Sequence, residues 1–253
     1  MSGTAGPATM QRVAARSVHV LTASGAVWAL LALDATARGR FKAALVWITV
    51  ALLVDAVDGS LARRFRVASV LPSLDGTLLD NLMDYLNYVL VPAYLILEAD
   101  LVPPGFGLPA AILICLASAF QFTHAEAKTA DHHFRGFPSC WNFVAFYLLL
   151  LRPGAWWTLG WIVALSVLTF VPIRFVYPSR TREQRSLTSA LTIVWGIAIL
   201  VLLVQFPSPS TWLLYGSLLY VIYYLVVSLV HTSRLVSSPQ GDGLESVPPS
   251  GEQ

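Results

Sequence analysis

Apolar residues in this chain fill long blocks, of which 190–206 and 212–230 are the cleanest, and the polar residues gather in short clusters between them. An apolar block of about 20 residues is the length of a helix that crosses a bilayer. Eight such helices are predicted, at 18–37, 42–61, 77–97, 107–127, 138–151, 155–176, 187–206 and 211–231. The fifth is short for a hydrocarbon core about 30 Å thick, so it is expected to tilt or to draw on the loop before it. Residues 1–10, with their Gly, Ala and Pro, predict disorder, and 11–17, where Arg12 and Arg16 stand among small residues, predict a segment along the membrane surface. The tail 233–253 is polar and rich in Pro and Gly, which predicts disorder. The organisation expected is therefore an N-terminal segment (1–17), one membrane domain (18–232) and a tail (233–253). The fold class is all-α, a polytopic membrane helical bundle of about eight transmembrane helices.

Composition removes the soluble alternative. Of 253 residues, 56% are hydrophobic and 12% charged, against about 25% charged in soluble domains, and the mean hydropathy is +0.67. A net charge of +2 points to no nucleic-acid partner. Cys115 and Cys140 both lie in apolar stretches, which speaks against a disulfide framework. The first dozen residues lack the basic cluster and apolar core of a cleaved signal peptide. Basic residues near span ends are retained in the cytoplasm. With the N-terminus inside, twelve of the sixteen fall on the cytoplasmic side, and only Arg38, Arg40, Lys42 and Arg152 fall outside. Both termini are thus expected in the cytoplasm, although the first loop, RGRFK, sets three positive charges against the rule.

Carboxylates appear where a membrane protein normally avoids them. Asp55, Asp58, Asp80 and Asp84 sit near the facing ends of the second and third helices. One ionised aspartate at the centre of a bilayer costs about 2.5–3.5 kcal/mol, and less near the interface. Asp55 and Asp58 are three residues apart and Asp80 and Asp84 four, so each pair projects from one helix face. Converging faces would repel unless protonated or bridged by a cation, and a set of oxygen ligands selects hard divalent ions such as Mg²⁺ or Mn²⁺. The plainer alternative is ion pairing with Arg63, Arg64 and Arg66. Gly59, Ala62 and Gly76 leave room for a bulky ligand against the backbone, and Arg63 offers a guanidinium suited to phosphate.

The run DAVDGSLAR, twelve further residues, then GTLLDNLMD fits D-x2-D-G-x2-A-R-x(8–12)-G-x3-D-x3-D at every specified position. It resembles the signature of the CDP-alcohol phosphatidyltransferases. The resemblance implies transfer of a phosphatidyl group from CDP-diacylglycerol to a hydroxyl, with release of CMP. It also implies that Asp55, Asp58, Asp80 and Asp84 hold the divalent metal, Mn²⁺ or Mg²⁺, and that Asp84 is the catalytic base. Asp55, Gly59, Ala62, Arg63 and Gly76 would bind the CDP moiety. The stretches SVHVLTASG, ALLVDAVDG, LDNLMDYLNYVLVPA, HHFRGFPSCWN and VLTFVPIRFVYP extend the likeness over most of residues 17–180. They narrow it to the bacterial, inner-membrane branch whose acceptor is choline. Relatives pair through membrane helices, so a homodimer is part of the expectation.

A quaternary ammonium donates no hydrogen bond and is held by aromatic faces and a carboxylate. The candidates for such a pocket are Tyr85, Tyr88, His124, Glu126, Trp141 and Asn142. Adjacent His132 and His133 point different ways and lack spaced partners for a metal site. His19 is a candidate support for the active-site helices, and Arg174 for lipid phosphate or for snorkelling to the interface. Two competing functions remain. One is the same transfer to serine, inositol, glycerol phosphate or ethanolamine. The other is a divalent-cation or proton-coupled transporter, which also needs intramembrane carboxylates. Its paired, Gly/Pro-broken spans are not evident.

Overall fold

The computed structural model describes residues 9–123, 133–171, 174–176 and 185–237. The chain begins with a rod made of α1 (Thr9–Ala23) and α2 (Gly25–Ala37), broken only at Ser24, whose hydroxyl donates back to the Leu21 carbonyl at 2.6 Å. The segment expected along the membrane surface, 11–17, is the first part of α1. Its polarity is one-sided, because Arg12 and Arg16 are exposed while Ala15 and Val18 are buried against Val67.

α3 (Phe41–Arg64) packs along α2. Ala29, Ala32 and Ala35 of α2 and Ala44 of α3 are all buried in the same cluster. Small side chains of this kind let membrane helices approach closely. Trp28 and Trp47 stack across the pair with ring centroids 5.7 Å apart.

A short α4 (Val67–Val70) leads to α5 (Gly76–Tyr85), whose start is capped by Asp75 accepting from the Leu78 N–H at 2.9 Å. A π-helical turn (Leu86–Leu90) joins α5 to α6 (Val91–Glu98), so 76–98 is one rod, close to the 77–97 predicted. The widened turn falls where Pro92 has no N–H to offer the carbonyl of Tyr88.

The remaining helices are α7 (Gly107–Thr123), α8 (Trp141–Leu151), α9 (Ala155–Leu168), α10 (Arg185–Gln205) and α11 (Thr211–Ser237). Thr9–Ala37, Phe41–Arg64, Leu187–Gln205 and Thr211–Val230 are long and apolar enough to cross a bilayer, and α7, α8 and α9 are shorter apolar helices. Leu45, Leu95, Ile96, Ile114, Trp141, Ile162 and Leu202 are buried in one core drawn from most of these helices. Outward faces carry large apolar side chains, such as Trp157 at 72% and Trp212 at 90% exposed. An apolar exterior on this scale is a lipid-facing surface. The protein is a polytopic, helical, integral membrane protein.

Besides the first helix, which starts at Thr9 and not at 18, two boundaries differ clearly from prediction. The sixth helix, expected to reach 176, stops at Leu168, and 174–176 form a strand, β2, antiparallel to β1 (His133–Arg135), with Phe134 opposite Phe175. Pro172 in the sequence disfavours helical backbone at the residue before it. The chain after β1 then caps α9, since the Phe137 N–H donates to the Leu168 carbonyl at 3.2 Å. Gly136 makes that approach, with φ at +82° and its Cα so close to the Thr169 carbonyl that a Cβ would collide with it. At the other end, α11 runs past the predicted 231 to Ser237. Residues 1–8 and 238–253, expected to be disordered, lie outside the described residues.

Candidate active site

α1 lies against both α3 and α5, and this shared neighbour brings the two pairs of aspartates into one cleft. The cleft is lined by Asp55 and Asp58 from α3, Asp80 and Asp84 from α5, Asn87 and Tyr88 from the π turn, and Thr22 and Gly25 from the N-terminal rod. Carboxylate oxygens of Asp55, Asp80 and Asp84 all lie within 4.8 Å of one another. Two unit charges at that distance repel by about 3.5 kcal/mol at an effective dielectric constant of about 20. Three ionised carboxylates so placed need a cation between them, and an all-oxygen set suits a hard divalent ion.

Asp58 stands apart from these three. It is 4% exposed, lines the same cleft, and lies outside the group whose oxygens converge. Tyr88 donates its hydroxyl to Asp55 Oδ2 at 2.7 Å. Asn87, also 4% exposed, spends its amide protons on the carbonyls of Gly25 and Met83 at 3.0 and 2.9 Å. Its Oδ1 is buried with no protein partner. That oxygen lies on the same helical face as Asp80 and Asp84, at spacings of seven and three residues. A carboxylate-lined cleft with an unsatisfied acceptor oxygen fits a bound cation, and its free volume of about 10 Å³ is the size of one water molecule or ion.

Residues 17–171 match the profile of the CDP-alcohol phosphatidyltransferases. The chain belongs to that family. It is 40% identical over 199 residues to the phosphatidylcholine synthase of Pseudomonas aeruginosa, covering 79% of this chain and 84% of that one. It is 38% identical over 229 residues to the phosphatidylcholine synthase of Legionella pneumophila, covering 88% and 90%. With the protein of the same name from Bradyrhizobium diazoefficiens it shares 42% over 191 residues, covering 76% and 72%. CDP-alcohol phosphatidyltransferases use divalent metals, and the group of Asp55, Asp80 and Asp84 is where this member can hold one.

Around the cleft of this phosphatidyltransferase the signature's smaller residues have visible neighbours. A Cβ on Gly76 would lie 3.1 Å from His19 Cε1, so the glycine admits the α1 histidine as well as leaving backbone open. Gly59 lies under Arg63, whose Nη1 is 3.6 Å from the place of a Cβ. Arg63 itself is exposed, with Nη2 donating to Ser60 Oγ at 3.3 Å. Ala62 packs with Leu61 against the small cluster of Ala15, Val18 and Val67.

Of the six aromatic and polar residues named for choline, Tyr88 alone lines the cleft among the described residues. The Tyr85 hydroxyl donates to the Cys115 carbonyl on α7 at 2.9 Å, and its ring meets Phe122 edge-on. Trp141 is fully buried, with its indole N–H on Ser118 Oγ at 3.0 Å and its ring against Phe137. Its side chain is part of the hydrophobic core and does not line the cleft. Asn142, beside it, is 3% exposed. His124, Glu126 and His132 lie outside the described residues, as do the side chains of His133 and Arg174. Sequence reasoning passed over Thr22, Gly25 and Asn87, although all three fall inside stretches that carried the family resemblance.

Proposed function

We propose that this chain transfers the phosphatidyl group of CDP-diacylglycerol to choline, forming phosphatidylcholine and releasing CMP. The observation that carries this is the convergence of Asp55, Asp80 and Asp84 within 4.8 Å, on the eight-position signature, in a chain whose curated relatives are named phosphatidylcholine synthase. Asp55, Asp80 and Asp84 would hold the divalent ion, Mn²⁺ or Mg²⁺, with Asp58 supporting the α3 side of the cleft. Bound there, the ion supplies charge neutralisation to the diphosphate.

The choline hydroxyl oxygen bonds to the phosphatidyl phosphorus, the phosphorus–oxygen bond to CMP breaks, and the hydroxyl proton passes to the Asp84 carboxylate. Tyr88 holds Asp55 in orientation through its 2.7 Å hydrogen bond. Its ring offers the cleft an aromatic face for the quaternary ammonium. Arg63 stands exposed where α3 ends, suited to the nucleotide phosphates. The cleft lies toward the α3 end that the distribution of basic residues assigns to the cytoplasm. Choline then enters from the cytosol and the lipid donor from the inner leaflet of the bacterial inner membrane. The homodimer expected from the family resemblance belongs to the same reading.

The test is CMP release by the purified full-length protein with CDP-diacylglycerol and Mn²⁺, comparing choline with serine, inositol, glycerol 3-phosphate and ethanolamine. Release that depends on choline is the expected result. Release with another alcohol alone overturns the choline assignment, and no release with any alcohol by folded protein overturns the transfer reading and returns attention to ion transport.

A further inference from the structure

The basic first loop is at the end of α3 remote from the carboxylates. Arg40 precedes Asp55 by fifteen residues, about 22 Å of helix at 1.5 Å per residue. Beside it lies an open groove of about 520 Å³, with Arg40 and Lys42 on its polar side and Phe41, Val46, Phe206 and Pro207 among its apolar walls. It is open to the outer surface of the helices and separate from the carboxylate cleft.

The charges around this groove are only partly used. Arg38 is committed to Asp34 through its Nε and Nη2, at 2.8–3.0 Å. Lys42 donates to the Val204 carbonyl at 2.7 Å, which ties the start of α3 to α10 and leaves the charge of its ammonium unneutralised. Arg40 is exposed, and no salt bridge or side-chain hydrogen bond holds its guanidinium among the described residues. With Asp34 counted against the three cations, the loop keeps two positive charges at the mouth of an apolar groove.

A guanidinium is suited to a phosphate through paired donors, and the apolar wall is suited to a hydrocarbon chain. The groove opens at the end of membrane-crossing helices, where a lipid's phosphate and its chain meet. We propose that this groove is a binding site for an anionic phospholipid of the leaflet opposite the catalytic cleft. The phosphate lies on Arg40 and Lys42, and an acyl chain lies along Phe41, Val46 and Phe206. The two positive charges that Asp34 leaves unbalanced, set against the usual side preference, then have a ligand.

The experiment is native mass spectrometry of the full-length protein in neutral detergent with dioleoylphosphatidylglycerol or dioleoylphosphatidylcholine. Wild-type protein is expected to retain one phosphatidylglycerol more tightly than phosphatidylcholine. Arg40→Gln should lower that retention about fivefold, the effect of one basic residue near a membrane surface. Val46→Trp, which fills the groove without changing charge, should lower it as well. Both variants should keep wild-type CMP release, because neither residue touches the catalytic cleft. That release separates this site from lipid held at the carboxylates. Equal retention of the two lipids by wild type, or phosphatidylglycerol retention unchanged in either variant, overturns the proposal whatever the catalytic assay shows.

Discussion

Replacing Tyr88 by Phe deletes one oxygen atom from the cleft and leaves the ring. The lost contact is the 2.7 Å hydrogen bond to Asp55 Oδ2, a length typical of a hydroxyl on an ionised carboxylate. Hydrogen bonds to charged groups contribute about 1.5–3 kcal/mol, and each 1.4 kcal/mol is tenfold in affinity. If Asp55 is a metal ligand oriented by Tyr88, the variant should bind Mn²⁺ about 10- to 100-fold more weakly, the range seen when an outer partner of a metal ligand is removed. Free Mn²⁺ measured by electron paramagnetic resonance reads the binding directly, and the Mn²⁺ dependence of CMP release should move with it. The choline KM should stay near the wild-type value, because phenylalanine keeps the aromatic face. An unchanged Mn²⁺ affinity would refute the positioning role, and a raised choline KM with unchanged metal binding would mean that the hydroxyl serves the acceptor instead.

Asp84→Asn should lower CMP release by at least about 10²-fold, the lower range for loss of a general base, while CDP-diacylglycerol still binds in an equilibrium lipid-binding assay; near-normal turnover would remove Asp84 from that role. Trp141→Ala should cost about 3–5 kcal/mol in stability, as for other buried tryptophans, and show as a large fall in the thermal unfolding midpoint in detergent; the protein that survives should have a wild-type choline KM. Gly136→Ala forces a side chain against the Thr169 carbonyl at φ +82°, a backbone region costing L-residues roughly 1–2 kcal/mol, so the unfolding midpoint should drop there too, whereas Gly160→Ala, with open space around it, should be tolerated.

The helical rods and the carboxylate face of the cleft were legible because both rest on spacing. Apolar block length located 76–98 to within a residue at each end, and the three- and four-residue intervals between aspartates foretold which side chains share a face. What spacing does not encode is the phase of a helix after an irregular turn. Tyr85 and Tyr88 are three residues apart, yet one hydroxyl goes to α7 and the other to Asp55. Trp141 shows the same limit for composition, because an aromatic side chain suits a ligand cage and a core equally until its neighbours are known. Nor does spacing show that Asp58, three residues from Asp55, is buried apart from the group formed by Asp55, Asp80 and Asp84. The strand pairing of 133–135 with 174–176 joins a segment read as loop to one read as the end of the sixth helix.

The π turn at Leu86–Leu90 has one more consequence. It divides a single rod into two angular frames: the upstream half aims its aspartates at the cleft, and the downstream half aims Leu95 and Ile96 into the core. One residue is about 100° of rotation in an α-helix. A single-residue deletion within 86–90 that restored regular winding would therefore keep the length, the apolarity and nearly every contact of the core, and would turn Asp80 and Asp84 away from Asp55. In this rod one extra residue serves as an angular offset between the part that anchors the protein and the part that carries its carboxylates.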